Sequence, residues 1–228
     1  MSRTVPVDRI PRLVECATQT FIANGYAQTR MEDVAEALGV AKGTVYLYVE
    51  SKEALFDLVM RAADRPDHVP ELPVKTPRSG TTVAFIGKRL ADEHALPMLT
   101  SALARNIELA EVVELMFDLL HRHRTAIKLL DRAARDIPEL SRAWSGGARR
   151  QLIEAVARYL QRGIRDGLVR DVPDAAIAAR FVVETCAFWA VHRHWDAVRI
   201  EVPEDKVRAS VIDLVVGALV AKRKEQRS

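Results

Sequence analysis

Lys42, Gly43, Thr44 and Leu47 are the residues of this chain whose types and spacing suggest the clearest chemistry. A lysine donates to guanine O6 or N7 or to phosphate, and a threonine reaches a base edge or a thymine methyl. Leucine offers apolar contact only, and glycine lets a backbone come close. Together these are the contacts with which a helix reads the major groove of DNA. Three nearby residues predict the element that presents them. Ala35 is small enough for two helices to cross, Gly39 can take the left-handed backbone that ends a helix, and Val45 packs back from the next. The 29–52 stretch, TRMEDVAEALGVAKGTVYLYVESK, therefore reads as a helix-turn-helix with 42–49 as the DNA-reading helix. Val45 and Val49, four apart, face inward, which leaves Lys42, Thr44, Leu47 and Tyr48 pointing outward or sideways.

A second set of chemically capable residues is less persuasive. His121-Arg122-His123 and His192-Arg193-His194 repeat one pattern, but residues two apart leave a helix on opposite sides. Zinc ligands on one helix prefer spacings of three or four, and no Cys, Asp or Glu completes a set, so no metal is expected. His121 and His194 read as solvated. His123 falls on the apolar stripe Val112, Met116, Leu119, His123 and Leu130, and reads as a core histidine. The sequence has no GxSxG, HExxH, phosphate loop or GxGxxG following a strand, so neither an enzyme nor a cofactor is expected.

The elements that must position these residues are helical. The chain has 228 residues with 49% hydrophobic content, few glycines and aromatics, and no run of alternating β-branched residues, which predicts an all-α fold. Helix 1 is expected from Asp8 to about Asn24, on the spacing of Ile10, Leu13, Val14, Ala17 and Phe21, with Pro11 in its first turn and Gly25 at its end. Thr29 and Glu32 fit a capping box for helix 2, and Ser51 caps helix 4. The proline-dense 66–79 stretch reads as a linker, which sets a DNA-binding domain over 1–65 and a helical domain over 80–228. That domain is expected to hold helices at 80–94, 96–105, 109–135, 139–166, 173–197 and 203–225. No apolar h-region opens the chain and no apolar run is long enough to span a bilayer, which predicts a cytoplasmic location. Cys16 and Cys186 lie on apolar stretches and read as buried thiols.

Net charge is a poor guide to the partner. The chain carries +3, yet its first 65 residues hold eight Lys or Arg against nine Asp or Glu. DNA affinity must come from placed contacts, with the basic tail at Lys222, Arg223, Lys224 and Arg227 reading as a solvated helix end.

The N-terminal unit resembles the TetR family of bacterial transcription repressors. The likeness runs from Ile10 through Phe21, Gly25-Tyr26, Thr29, Asp33-Val34-Ala35, Gly39-Val40, Gly43-Thr44-Val45-Tyr46, Tyr48 and Ser51-Lys52 to Leu55, about a quarter of the chain. The resemblance implies that Tyr46, Tyr48 and Lys52 contact the phosphate backbone, with packing inside the unit the alternative for Tyr46. It also implies a C-terminal domain that dimerises and binds a small ligand, whose binding changes the separation of the recognition helices and weakens DNA binding. Two positions depart from the family pattern. Ala41 stands where a capping serine is common, and Arg30 stands where a small hydroxyl residue is common. Thr29 and Arg30 complete the DNA-contact set, Arg30 through a phosphate.

One helix reads only a few base pairs, so specificity needs two units held a helical turn apart, hence a homodimer on a palindromic operator. The expected interface uses Phe181, Phe188, His192 and Trp195 on one helix and Val207, Val211, Leu214, Ala218 and Ala221 on the other, as a four-helix bundle. Part of each stripe also suits the subunit's own core. A mostly apolar effector would be lined by Met116, Leu120, His123, Trp144, Tyr159 and Phe188, all of which also suit ordinary core packing. Two other readings stand beside this one. The first is a DNA-binding regulator without an effector, which a filled C-terminal core would favour. The second is a helical binding module that has lost DNA binding, which the set Lys42, Gly43, Thr44, Tyr46, Tyr48 and Lys52 argues against.

Overall fold

The computed structural model describes residues 9–63, 65, 70–92, 95–105 and 107–221, with backbone alone at 91, 92, 95–98 and 100. The expected helix start at Asp8, the 66–69 part of the linker and the basic tail from Lys222 lie outside the described residues. The first five helices are α1 (Ile10–Asn24), α2 (Met31–Leu38), α3 (Lys42–Val45), α4 (Lys52–Ala62) and α5 (Thr81–Asp92). Then come α6 (Ala95–Ala104), α7 (Leu109–Arg122), α8 (Arg124–Ala133), α9 (Pro138–Ala143), α10 (Arg149–Arg165), α11 (Ala175–Ala190) and α12 (Glu204–Leu219). Among the described residues only two isolated β-bridges depart from this all-α pattern. No helix there is long and apolar enough to cross a membrane.

The chain forms two compact units, residues 1–90 with 125–146, and residues 91–124 with 147–228. In the first, α1 packs on α2 and α4, and α2 on α3. Leu13, Ala17, Phe21, Val34, Val45, Leu55 and Leu58 are buried between these helices. Each large apolar side chain so enclosed contributes about 1.5–3 kcal/mol. Phe56 meets Phe21 and Tyr26 edge-on, at centroid distances of 5.3 and 5.0 Å. Gly25 at φ 82° ends α1, and Gly39 at φ 72° and ψ 35° ends α2 in the left-handed region, as their positions predicted.

The 66–79 stretch is not simply a spacer. Its described part forms a parallel bridge with the end of the helix-turn-helix: the Val74 amide donates to the Tyr48 carbonyl at 2.8 Å, and the Glu50 amide donates to the Val74 carbonyl at 3.0 Å. The Lys75 ammonium donates to Glu50 at 2.7 Å and the Thr76 amide to its other oxygen at 3.0 Å. On α4, Asp57 is buried, pairs with Arg61 at 2.6 Å and accepts from the Thr82 hydroxyl at 2.8 Å. The Ala27 amide donates to Asp136 at 2.8 Å, and Arg132 donates to the Ala23 carbonyl at 2.8 Å. The sequence reading divides the chain at 65 and 80, whereas in the structure residues 70–90 and 125–146 group with the N-terminal helices.

In the second unit α11 packs on α7, α10 and α12, and α7 also packs on α6 and α12. Val112, Met116, Phe117, Val156, Leu160, Val182, Cys186, Val211 and Val215 fill its core. Arg149 donates to both oxygens of Glu184, at 2.7 and 2.6 Å, and Arg208 donates to both oxygens of Asp118, at 2.7 and 2.9 Å. Both cysteines are free and buried, and burial pushes the Cys186 thiol up to about 12.

Three expected long helices are interrupted. The 109–135 span breaks at His123, whose φ −103° and ψ 20° leave the helical region, with Arg124 donating to the freed His121 carbonyl at 3.0 Å. His123 therefore ends α7 and does not continue its apolar stripe. The 139–166 span becomes α9, a π-helical turn over Trp144–Ala148 and α10. The 173–197 span ends at Ala190 and is followed by a 3₁₀ turn, His192–Trp195.

Candidate nucleic-acid interface

The presumed reading helix is short. α3 covers four residues, and the chain then closes through tight turns: Leu47 N–H to Thr44 O at 3.2 Å, Tyr48 N–H to Val45 O at 3.0 Å and Val49 N–H to Val45 O at 3.2 Å. Ala41 precedes it with no side-chain cap, as its methyl group dictates. At the other end Ser51 caps α4 by accepting the Ala54 amide at 3.1 Å. Val45, Tyr48 and Val49 are buried, and this anchors the turn to the α1–α4 core.

The outward face carries Lys42, Gly43, Tyr46 and Leu47, all exposed, with Thr44 half-buried. Tyr46 and Leu47 are each 40% exposed, so the alternative that Tyr46 packs inside the unit does not hold. Lys42 is paired with Glu32 at 2.5 Å and lies 5.8 Å from the centre of the Tyr46 ring. The Glu32 hydrogen bond holds Lys42 above the usual ammonium range, and the Lys42 bond holds Glu32 below the usual carboxylate range. Sequence reasoning missed this pair, because an i, i+10 contact across a turn leaves no periodic signal.

Three of the expected DNA-contact residues are engaged within the protein itself. Tyr48 is 1% exposed, because the turns after Val45 rotate it into the core, whereas a continuous helix would leave it outside. Lys52 donates to the carbonyls of Tyr26, Ala27 and Thr29 at 3.0, 3.2 and 3.2 Å and stands 4.7 Å from the centre of the Tyr26 ring. Its charge closes the chain between α1 and α2. Burial, with the neighbouring Glu53 carboxylate, pushes the Tyr26 phenol up to about 12. Thr29 is 2% exposed and its hydroxyl donates to the Gly25 carbonyl at 2.6 Å, so it braces that turn. The cap of α2 is also moved by one residue: Arg30 is the N-cap, and its amide donates to Asp33, not Glu32, at 2.9 Å. Arg30 itself is exposed.

The expected effector residues are not all in one place. Met116, Leu120 and Tyr159 are buried in the second unit, where the Tyr159 hydroxyl donates to the Ile107 carbonyl at 2.8 Å and burial raises its pKa. His123 is half-buried at the end of α7, and Phe188 is 40% exposed. Trp144 belongs to the first unit, where its indole N–H donates to Asp131 at 2.5 Å. The expected dimer stripes divide as well. Phe181 and Leu214 are exposed and His192, Trp195 and Ala218 half-buried, but Val207 and Val211 are buried with Val215 and Leu219 along the inner side of α12. The correction follows from the four-residue period of that buried row. The outward apolar residues of α11 are Ile177, Phe181 and Phe188.

Comparison with known proteins agrees with this geometry. Residues 13–59 match the family described as bacterial regulatory proteins, tetR family. The uncharacterized HTH-type transcriptional regulator YhgD of Bacillus subtilis (strain 168) is 43% identical over 51 residues, which are 22% of this chain and 27% of that protein. The chain thus aligns with about a quarter of the length of that relative. The HTH-type transcriptional repressor KstR2 of Rhodococcus jostii (strain RHA1) is 22% identical over 93% of this chain and 92% of its own. The structure of the ketosteroid transcriptional regulator KstR2 of Mycobacterium tuberculosis superposes with a TM-score of 0.56 at 17% identity, covering 94% of this chain and 96% of that one. Bacillus subtilis FadR, solved with stearoyl-CoA, superposes with a TM-score of 0.50 at 16% identity, covering 91% and 97%. With its helix-turn-helix within the residues that match, 13–59, and its all-helical fold, the chain carries the DNA-binding region of the tetR family of bacterial regulatory proteins.

Proposed function

We propose that the chain is a transcriptional repressor of the TetR type that binds a palindromic operator as a homodimer and is released by a small, mostly apolar ligand. The observation that carries the DNA-binding part is the outward set Lys42, Gly43, Tyr46 and Leu47, held on a turn whose other side, Val45, Tyr48 and Val49, is locked in a core. Arg30, Lys42 and Tyr46 supply phosphate or base contacts, Gly43 permits close backbone approach, Thr44 reaches a base edge and Leu47 offers apolar contact. The exposed Ile177, Phe181 and Phe188 of α11, with Leu214 of α12, support a self-complementary apolar interface.

Release by a ligand is supported by FadR having been solved with stearoyl-CoA, and repression by the description of KstR2 as a repressor. Coupling is reciprocal: a ligand that weakens operator binding must itself be weakened by operator, by the same factor. The test is footprinting on the DNA upstream of the protein's own gene. Protection of an inverted repeat, lost on adding an acyl-CoA such as stearoyl-CoA, is expected. Protection of an inverted repeat that no apolar ligand relieves would favour a regulator without an effector. No protection of any DNA with unchanged folding would favour a helical module that has lost DNA binding.

A further inference from the structure

The two histidine triplets, each unpromising as a metal site by itself, meet in the fold. His121 lies in the last turn of α7, His194 in the 3₁₀ turn His192–Trp195, and Glu204 opens α12, all within the second unit. One ligand atom from each of the three lies within 4.8 Å of the others. His121 Nδ1 and Glu204 Oε1 approach to 3.2 Å, yet they are not aligned for a hydrogen bond. Among the described residues four buried side-chain nitrogen or oxygen atoms have no hydrogen-bond partner, and three of them are His121 Nδ1, His194 Nε2 and Glu204 Oε1. Burying one such atom unpaired is unfavourable, and a cation at the point where three converge would satisfy all of them together.

We propose that His121, His194 and Glu204 bind one divalent transition-metal ion of the zinc class. Two imidazoles and one carboxylate suit zinc, cobalt and nickel, and suit magnesium or calcium poorly because those ions require an oxygen shell. Zinc–nitrogen bonds of about 2.0–2.1 Å put tetrahedral ligands roughly 3.4 Å apart, so the side chains close by about 1 Å. His121 and Glu204 have the freedom to do so, at 31% and 39% side-chain exposure.

The surroundings fit this role. Arg193 pairs with Glu204 Oε2 and also donates to the Trp189 carbonyl at 2.9 Å, which fixes the carboxylate and leaves Oε1 directed at the histidines. Outer partners of this kind orient metal ligands. The His121 ring stacks on Phe117 at 6.3 Å. Metal binding at Nδ1 puts the ring proton on Nε2 and leaves Arg124, now 3.4 Å from Nε2, to its bond with the His121 carbonyl at 3.0 Å. Arg193 and Arg124 lower affinity for a bare cation, so the fourth position suits an anion or hydroxide. A bound ion would tie the end of α7 to the start of α12 and fix both ends of the 196–203 loop.

Cobalt titration of the chelator-treated full chain, read by visible absorption, tests the site. One Co²⁺ per chain with a tetrahedral ligand-field band, displaced by one equivalent of Zn²⁺, is expected. His194→Gln and Glu204→Gln, each with unchanged helical circular dichroism, should lose at least tenfold in affinity, and His192→Gln should keep it. Failure to develop the band, or equal binding by both ligand variants, would overturn the proposal. So would an equal loss in His192→Gln, which would show binding by the triplets as loose surface histidines.

Discussion

Replacing Tyr48 by alanine separates the two tyrosines of the recognition turn. Tyr48 is 1% exposed and Tyr46 is 40% exposed, although only Leu47 lies between them in the turn and the family likeness gives both a DNA role. Removing a fully enclosed aromatic ring costs about 3–5 kcal/mol in lost burial and cavity. At about 2–4 °C per kcal/mol for a chain of this size, Tyr48→Ala lowers Tm by roughly 6–20 °C. Tyr46→Ala removes an exposed ring that stands beside Lys42, so stability changes by no more than about 0.5 kcal/mol. Its cost falls on DNA: losing one phosphate hydrogen bond, about 1 kcal/mol, weakens operator binding roughly fivefold per contact. Thermal unfolding and operator titration at a temperature where both variants are folded give the two readouts. A Tyr48→Ala protein that melts like the parent but binds DNA poorly would refute the placement of Tyr48 in the core.

Lys42→Ala should reduce the slope of log K against log salt by about 0.9 per phosphate contact removed, measured by operator titration across salt concentrations. Glu32→Gln, which frees Lys42 and removes a negative charge from the DNA-facing side, should tighten binding at low salt; weaker binding would contradict the account of that pair. Gly163→Ala places a methyl group 2.6 Å from Val169 Cγ2, a β-branched side chain buried at 4% exposure. Overpacking of about 1–3 kcal/mol outweighs or cancels the roughly 1 kcal/mol gained from helix propensity, so urea unfolding should show no stabilisation. Arg208, by hydrogen bonding, holds the Asp118 carboxyl below the usual range. Asp118 therefore contributes stability that is fully present above the ordinary carboxylate range and is lost as pH falls through its depressed value. Arg208→Gln should flatten the acid limb of the stability profile, and an unchanged limb would remove this pair from the account.

What was legible in the sequence was local. Gly39 at a helix end, Ser51 as a cap and the inward Val45 each follow from one turn of chain, and each stands where the spacing put it. Tyr48 was misplaced because a 3.6-residue period was carried through 42–49, while the chain leaves the α-helix after Val45. Lys52 reads only as a phosphate contact, since nothing in sequence shows that three carbonyls between α1 and α2 converge on it. Val74 carries its signal in a partner 25 positions away, and His121 in one 73 positions away, distances at which periodicity says nothing. On α12 both sides are apolar, with Val207, Val211 and Val215 inside and Leu214 outside, so hydrophobicity alone could not tell core from interface.

The stoichiometry and half-site dependence of operator binding test the central claim most directly. Sedimentation of the purified protein with a duplex carrying the full inverted repeat should show two chains, or a multiple of two, per duplex. A duplex with one half-site should bind far more weakly, because each recognition turn offers few base contacts. One chain per duplex, with equal affinity for the half-site and the full site, would contradict a paired reader.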